Sequence, residues 1–362
     1  MSPAYDRLPV GRQGMSRPRR SRREDHRLTG VAGRRASFLI RQRCSGAVIV
    51  QRGPLDAAAD GRQRFGMEAF PVPRYLADTA HRDRGVHDWI AELPAIVADL
   101  AGRWSLRVGE PFQPGGQCSW TAPVTGPHGA SLVLKVAFQF PGGEERDEAA
   151  GLRVWDGNGT VRLHGACRTE SAYGLLVERC LPGTALGQVL PEPEQDLVVT
   201  RLLGRLWAAP HGGCPFRPLT QMCAAWAEEF EQEYDAAAAA DRIDPGLARA
   251  GITLFRELPH TADSQVLLAT DLHGDNILAA QREPWLIIDP KPYVGDPAYD
   301  LLQHMLNCDG RLAVDPGGLA SRMAGLAGLD GGRVRQWLFA RSVQESIGSP
   351  LMRQVARRLA PA

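Results

Sequence analysis

Asp271 and Asn276 stand five residues apart in Asp271-Leu272-His273-Gly274-Asp275-Asn276, and a second aspartate, Asp289, closes the apolar run Leu286-Ile287-Ile288. This is the pattern D-x-x-x-x-N followed by an acid at a strand end. Phosphoryl transfer needs a carboxylate to orient and deprotonate an attacking hydroxyl, and oxygen ligands to hold Mg2+ on the phosphates. In that chemistry Asp271 is the base and Asn276 and Asp289 are the metal ligands. A plain polar hairpin would also use Asp and Asn as turn residues. Here, however, the acids abut the apolar runs Val266-Leu267-Leu268 and Leu286-Ile287-Ile288. Carboxylates dragged toward burial are costly without a metal or partner.

Lys135 is the next candidate. It is one of two lysines in the chain, the other being Lys291, whereas arginine fills nearly every other basic position. A lysine inside Leu132-Val133-Leu134-Lys135-Val136-Ala137 points to a need for a compact ammonium on a flexible stem. Contacting ATP phosphates while pairing a helix glutamate is such a need. Of Glu144, Glu145 and Glu148, the last sits a full turn into the following helix and is the expected partner. The other two suit the first turn, where acids favour the helix dipole. Gly115 and Gly116, in Pro114-Gly115-Gly116-Gln117, permit a close backbone cover over phosphates, although any hairpin favours such a pair. A Walker A motif is absent. The stretch holding Glu178 and Cys180 reads as a strand-to-linker hinge whose backbone meets adenine. Lys291 faces either phosphate or the adjoining loop, and the sequence leaves both open.

The elements that must position these residues change character along the chain. Helical spacing over 89–100 sits behind Asp88 as N-cap, with Pro94 near the first turns. Strands are expected at 107–113, 118–125 and 131–138, joined by Gly- and Pro-bearing turns as an antiparallel meander. A helix over 144–156 and short strands at 161–163 and 173–178 follow. Helices over 197–207 and 222–234, a strand-rich block over 266–289 and closing helices complete the pattern. Strands first and helices later indicate α+β with segregated lobes. The division expected is 1–66 as a basic extension, 67–180 as a nucleotide-binding lobe and 181–362 as a lobe carrying the catalytic loop and acceptor site.

Composition is that of an ordinary globular protein, with 44% apolar and 23% charged residues and no apolar run of membrane-spanning length. Residues 1–66 hold 15 arginines against five acids, leaving 27 basic and 36 acidic residues in the body. A body with that acidic balance suits a cationic substrate better than nucleic acid. The basic start reads as a disordered tail or a mis-assigned start before Met67, the alternative being a nucleic-acid- or partner-binding arm. No secretory signal pattern follows it, so the expected location is cytoplasmic, with access to ATP. Seven scattered cysteines form no CxxC pair and no zinc spacing, and read as reduced thiols.

With these residues assembled, the chain resembles the aminoglycoside phosphotransferase family, in its streptomycin 6-phosphotransferase and hydroxyurea kinase branch. The likeness is carried by Thr270-Asp271-Leu272-His273-Gly274-Asp275-Asn276-Ile277-Leu278, by Asp289-Pro290-Lys291-Pro292, and by Gly295-Asp296-Pro297-Ala298-Tyr299-Asp300. The resemblance covers roughly Met67 to the C-terminus and implies a bilobal protein-kinase-like fold, Mg-ATP as donor and an antibiotic hydroxyl as acceptor. It places Asp271 as base and Asn276 and Asp289 as metal ligands, in agreement with the chemical reading. One departure is Ala269-Thr270, where the broader family carries His-Gly before the catalytic aspartate. The expected activity is 6-O-phosphorylation of streptomycin, giving resistance. The alternatives are a kinase for hydroxyurea or another small alcohol, and a non-catalytic nucleotide-binding module. Asp296 and Asp300 are expected to brace the catalytic loop. The acidic stretch 226–235 either binds a cationic acceptor or is a solvated helix face.

Overall fold

The computed structural model describes residues 70–140, 145–212 and 216–361. The extension over 1–66 and Glu144 therefore lie outside the described residues. Three helices come first: α1 (Arg74–Ala80), α2 (Arg84–Ile90) and α3 (Leu93–Arg103). The expected single helix behind Asp88 is in fact two. Asp83 caps α2 by accepting from the Val86 N–H at 3.0 Å, and Pro94 opens α3 in its first turn. The apolar period runs through the break because Val86, Trp89, Leu93, Val97 and Leu100 all face one core.

That core is covered by a five-stranded antiparallel sheet in the order β1-β2-β3-β5-β4. Its strands are β1 (Arg107–Val108), β2 (Ser119–Thr125), β3 (Ser131–Phe138), β4 (Leu163–Arg168) and β5 (Ala172–Glu178), with α4 (Glu145–Trp155) between β3 and β4. The meander of the first three strands is present, but β1 is only two residues long, and the strand expected at 161–163 begins at Leu163. Parity then decides what β3 presents. Leu132, Leu134 and Val136 pack into the core under α1 to α3, so Val133 and Lys135 turn to the other face. Lys135 stands in register with Thr121 of β2 and Leu175 of β5.

From α5 (Leu186–Val189) onward the chain is mainly helical: α6 (Glu192–Trp207), α7 (Leu219–Ala236) and α8 (Pro245–Glu257). Two short ladders interrupt it, β6 (Val266–Leu268) with β9 (Tyr293–Gly295), and β7 (Ile277–Ala279) with β8 (Trp285–Ile287). Six helices close the chain: α9 (Pro297–Asp300), α10 (Leu302–Leu306), α11 (Asp309–Val314), α12 (Pro316–Ala327), α13 (Gly331–Gln344) and α14 (Pro350–Leu359). Helix α13 is central to this lobe, and its Val334, Trp337, Leu338 and Val343 are fully buried against α8, α12 and α14. A third apolar cluster joins the lobes, in which Val133, Leu152, Leu175 and Val177 meet Leu278, Leu286 and Ile288.

Among the described residues no helix is long and apolar enough to cross a membrane. Cys167, Cys180, Cys223 and Cys308 are free thiols. Cys118 is disulfide-bonded, which corrects the expectation of reduced thiols throughout.

Candidate active site

The two ladders are nested. β6 pairs with β9 (Leu268 opposite Tyr293), and the β7–β8 hairpin (Ile277 opposite Ile287) lies between them in sequence. Residues 269–276 and 288–292 are therefore the paired crossings from one ladder to the other. Backbone bonds clamp them, from Ile288 N–H to Asn276 O at 2.9 Å and from Lys291 N–H to Ala269 O at 2.8 Å. Local pairing thus carries Asp271, Asn276 and Asp289 to one place, 2%, 0% and 7% exposed. Asn276 Nδ2 donates to Asp271 O at 2.9 Å, which commits the amide and leaves its Oδ1 buried without a hydrogen-bond partner.

The other half of the site descends from the sheet. Lys135 Nζ donates to Glu148 Oε2 at 2.7 Å and to Asp289 Oδ1 at 2.5 Å, linking β3, α4 and the β8 crossing. Lys291 Nζ donates to the same Asp289 oxygen. Burial would raise the Asp289 pKa, but the two ammonium groups outweigh it and hold the carboxyl at about 2. Glu148 goes the other way: burial raises its pKa, with the Asp289 charge adding, against the pull of Lys135. Helix α4 is docked by Asp147, which accepts from Arg217 Nε at 2.7 Å, and by Gly151, whose missing Cβ would lie 2.5 Å from Pro292.

Two residues of the site have left-handed backbone, Thr270 at φ 52° and Asp289 at φ 52°. A β-branched residue there is strained and needs surrounding bonds to persist. Buried Asp300 supplies them, accepting from Thr270 N–H at 2.6 Å, Ala269 N–H at 3.0 Å and Trp207 Nε1 at 2.9 Å. Thr270 Oγ1 adds a bond to Lys291 O at 2.6 Å. Burial pushes the Asp300 carboxyl up to about 6, with the three donors opposing. Asp296 caps α9 through Ala298 N–H at 3.0 Å and takes Arg333 Nε at 2.6 Å. Both acids brace the region, and neither is in the lining of the cleft under the sheet or of the cavity on the helical side of the catalytic loop.

A cleft under the sheet ends on these charges. Its walls include Gly116, Thr121, Val133, Val177, Glu178, Cys180, Leu278 and Ile288, and its floor Lys135, Glu148 and Asp289. Gly115 is not on this wall: at φ 76° it packs on Pro73, and a Cβ would fall 2.3 Å from that ring. The Glu178 side chain binds Arg282 Nε at 3.0 Å and Arg162 N–H at 3.0 Å, tying the sheet to the β7–β8 turn. Burial pushes the Cys180 thiol up to about 12, so it serves as a neutral apolar wall. On the helical side of the catalytic loop lies a second cavity of about 360 Å³, with Glu192, Gln195, His273, Asp275 and Asn307 in its lining. Helices α5 and α6 reach this loop because Gly274 has no side chain; a Cβ there would lie 3.1 Å from the Gly187 backbone of α5 and 2.6 Å from Gln195 Oε1 of α6.

The profile of the aminoglycoside/hydroxyurea antibiotic resistance kinase family matches residues 103–348. The chain belongs to this family. It is 34% identical over 288 residues to a streptomycin 6-kinase of Streptomyces griseus, covering 76% of this chain and 90% of that protein. It is 33% identical over 283 residues to a hydroxyurea phosphotransferase of Kitasatospora aureofaciens, covering 76% and 79%. Among solved structures, a thermostable mutant of aminoglycoside phosphotransferase APH(4)-Ia superposes with a TM-score of 0.50 at 15% identity, over 72% of this chain and 95% of that one. That likeness concerns fold alone: a sheet lobe and a helical lobe of the protein-kinase-like kind.

This kinase carries site features that its sequence did not announce. The convergence of both lysines on one oxygen had only their rarity as a signal. The Asp147–Arg217 and Glu178–Arg282 ties join residues 70 and 104 positions apart and leave no local pattern. His273, between Asp271 and Asn276 in the D-x-x-x-x-N pattern, accepts from Asp275 N–H at 3.3 Å and lines the second cavity.

Proposed function

We propose that this kinase transfers the γ-phosphoryl group of ATP to a hydroxyl of a cationic aminoglycoside, streptomycin at its 6-hydroxyl being the first candidate. The observation that carries the reading is the Lys135–Glu148–Asp289 chain at the floor of one cleft, with Asp271 and Asn276 bonded to each other on the crossing that is clamped to the segment carrying Asp289. Residues 67–180 serve the nucleotide and residues 181–362 the catalytic loop and acceptor. The protein acts in the cytoplasm, where ATP is available.

The residues present fit a Mg2+ ion. Asn276 Oδ1 is buried and unbonded, and Asp289 supplies a carboxylate. Among the described residues no group of three or more His, Cys, Asp and Glu could hold a metal. Mg2+ keeps waters and phosphates as ligands and takes one or two protein oxygens, the number that Asn276 and Asp289 supply. When bound, the ion neutralises charge on the transferring phosphates. Lys135, oriented by Glu148, holds phosphate oxygens. Asp271 orients the acceptor hydroxyl and takes its proton. The new bond joins acceptor oxygen to γ-phosphorus, while the bond from γ-phosphorus to the bridging oxygen breaks and its electron pair leaves with ADP. The protein's contribution is positioning and fixed charge.

The acceptor reading is supported by the polar cavity on the helical side of the catalytic loop, lined by His273 and Gly274, where Glu192 and Asp275 offer carboxylates to cationic groups. The acids of the 226–235 stretch do not line that cavity, and Glu231 is already held by Arg256 at 2.6 Å. The hydroxyurea phosphotransferase at 33% identity supports a second acceptor, a small neutral hydroxyl compound. Incubation of the protein with Mg-ATP and each acceptor, read by mass spectrometry, separates the two. A phosphorylated streptomycin is expected. Phosphorylation of hydroxyurea alone would transfer the reading to that acceptor, and turnover of neither compound would count against both.

A further inference from the structure

Of the 42 lysine and arginine residues in the chain only two are lysine, and the fold brings both to one atom, Asp289 Oδ1. Their remaining contacts differ. Lys135 also holds Glu148 Oε2 at 2.7 Å, whereas the other bond of the Lys291 ammonium is a long one to Asp289 O at 3.5 Å. The base of the Lys291 side chain is fixed. Its N–H binds Ala269 O at 2.8 Å, its carbonyl accepts from Thr270 Oγ1 at 2.6 Å, and Pro290 and Pro292 restrict the backbone on either side. The stem therefore starts beside the residues that immediately precede Asp271.

A carboxylate oxygen that takes a divalent cation cannot keep two ammonium groups at hydrogen-bond distance, because like charges repel strongly in a site shielded from water. Lys135 would retain Glu148. Lys291, with no second carboxylate bonded to it, is the group that must turn elsewhere. The anion that the kinase reading brings between Asp289 and Asp271 is the transferring phosphoryl group.

We infer that Lys291 is a second catalytic cation, which leaves Asp289 when the site is loaded and binds the γ-phosphoryl oxygens as they pass from ADP to the acceptor. This rests on the kinase reading above. Lys291 gains and loses no proton in the step. The hydroxyl proton goes to Asp271, the bridging electron pair goes to ADP, and Lys291 supplies charge to the group in flight, the part an arginine plays in other phosphotransferases.

The test is affinity for Mg2+-AMP-PNP and Mg2+-ADP, measured by calorimetry on the full chain for wild type, Lys291→Ala, Lys291→Arg and Lys135→Ala. Loss of one charge-assisted bond should weaken AMP-PNP binding to Lys291→Ala about tenfold or more and leave ADP within about twofold. Lys291→Arg should recover part of the difference, and Lys135→Ala should weaken both nucleotides. Equal losses for both nucleotides, or no loss, in Lys291→Ala would overturn the proposal and reduce Lys291 to a neutraliser of Asp289. Should the alanine variant not fold, Lys291→Met, which keeps the stem, takes its place with the same two outcomes. Wild-type protein that binds neither nucleotide would overturn the kinase reading itself, which separates that failure from this one.

Discussion

Two regions of the molecule concentrate buried charge, and they do so in opposite ways. In the helical lobe Asp196 is fully buried, and three side chains meet it: His304 Nε2 at 2.8 Å, Arg311 with two bonds of 2.9 Å, and Arg322 Nε at 2.7 Å. Every lone pair it can offer is taken, and these bonds hold its pKa below the usual range against the push of burial. The hub ties α6 to α10, α11 and α12. At the end of the cleft, by contrast, Asp289 shares one oxygen between two lysines, Asn276 Oδ1 has no partner, and Thr270 and Asp289 have strained backbone. The first arrangement is saturated and serves folding. The second is under-satisfied and serves a ligand that carries its own charges.

The largest expected effect separates them on stability. Asp196→Ala strands two guanidinium groups and His304 and should cost about 3–5 kcal/mol, as removal of one partner from a buried ion pair does, measured by urea unfolding. Turnover per folded molecule should fall far less. Asp271→Ala should do the reverse, lowering turnover about 100-fold or more with little change in melting temperature. Equal stability losses in the two variants would erase the distinction drawn between the regions.

Asp300→Asn sharpens the boundary, because Asp300 is a buried brace that acts only through the catalytic loop. An amide replaces an acceptor oxygen by a donor against the N–H groups of Ala269, Thr270 and Trp207, and turnover should fall about 10- to 100-fold, as loss of a supporting bond does. The pH dependence carries a definite sign. The Asp300 pKa is raised in the folded state to about 6, above the unfolded value of about 3.9. Its contribution to stability is therefore fully present below about pH 3.9 and is lost as pH rises through 6. The melting-temperature gap between wild type and Asp300→Asn should narrow over that window. The smallest effect belongs to the exposed Glu231–Arg256 pair: Glu231→Ala should change stability by less than about 1 kcal/mol and leave turnover unchanged.

The sequence made one of these regions readable and concealed the other. Asp271, Asn276 and Asp289 lie within one hairpin unit, so short-range pattern and apolar flanks were enough to single them out. Lys135 and Glu148 were legible because lysine is rare and because they lie on consecutive elements, β3 and α4. Asp196 had no such signal: its partners stand 108, 115 and 126 residues away and are ordinary surface types in a sequence. The segregation of strands and helices was legible from turn residues and periodicity. The break between α2 and α3 was not, since both helices bury the same apolar stripe, nor was the length of β1, whose two residues have only β2 to pair with.

The most direct test of the central claim is transfer of a radiolabelled γ-phosphoryl group from ATP to streptomycin, in wild type and in Asp271→Ala shown to fold and to bind ADP. The account predicts labelled product from wild type and at least an approximately 100-fold slower reaction from the variant. Near-normal transfer by Asp271→Ala would contradict the assignment of Asp271 as the base.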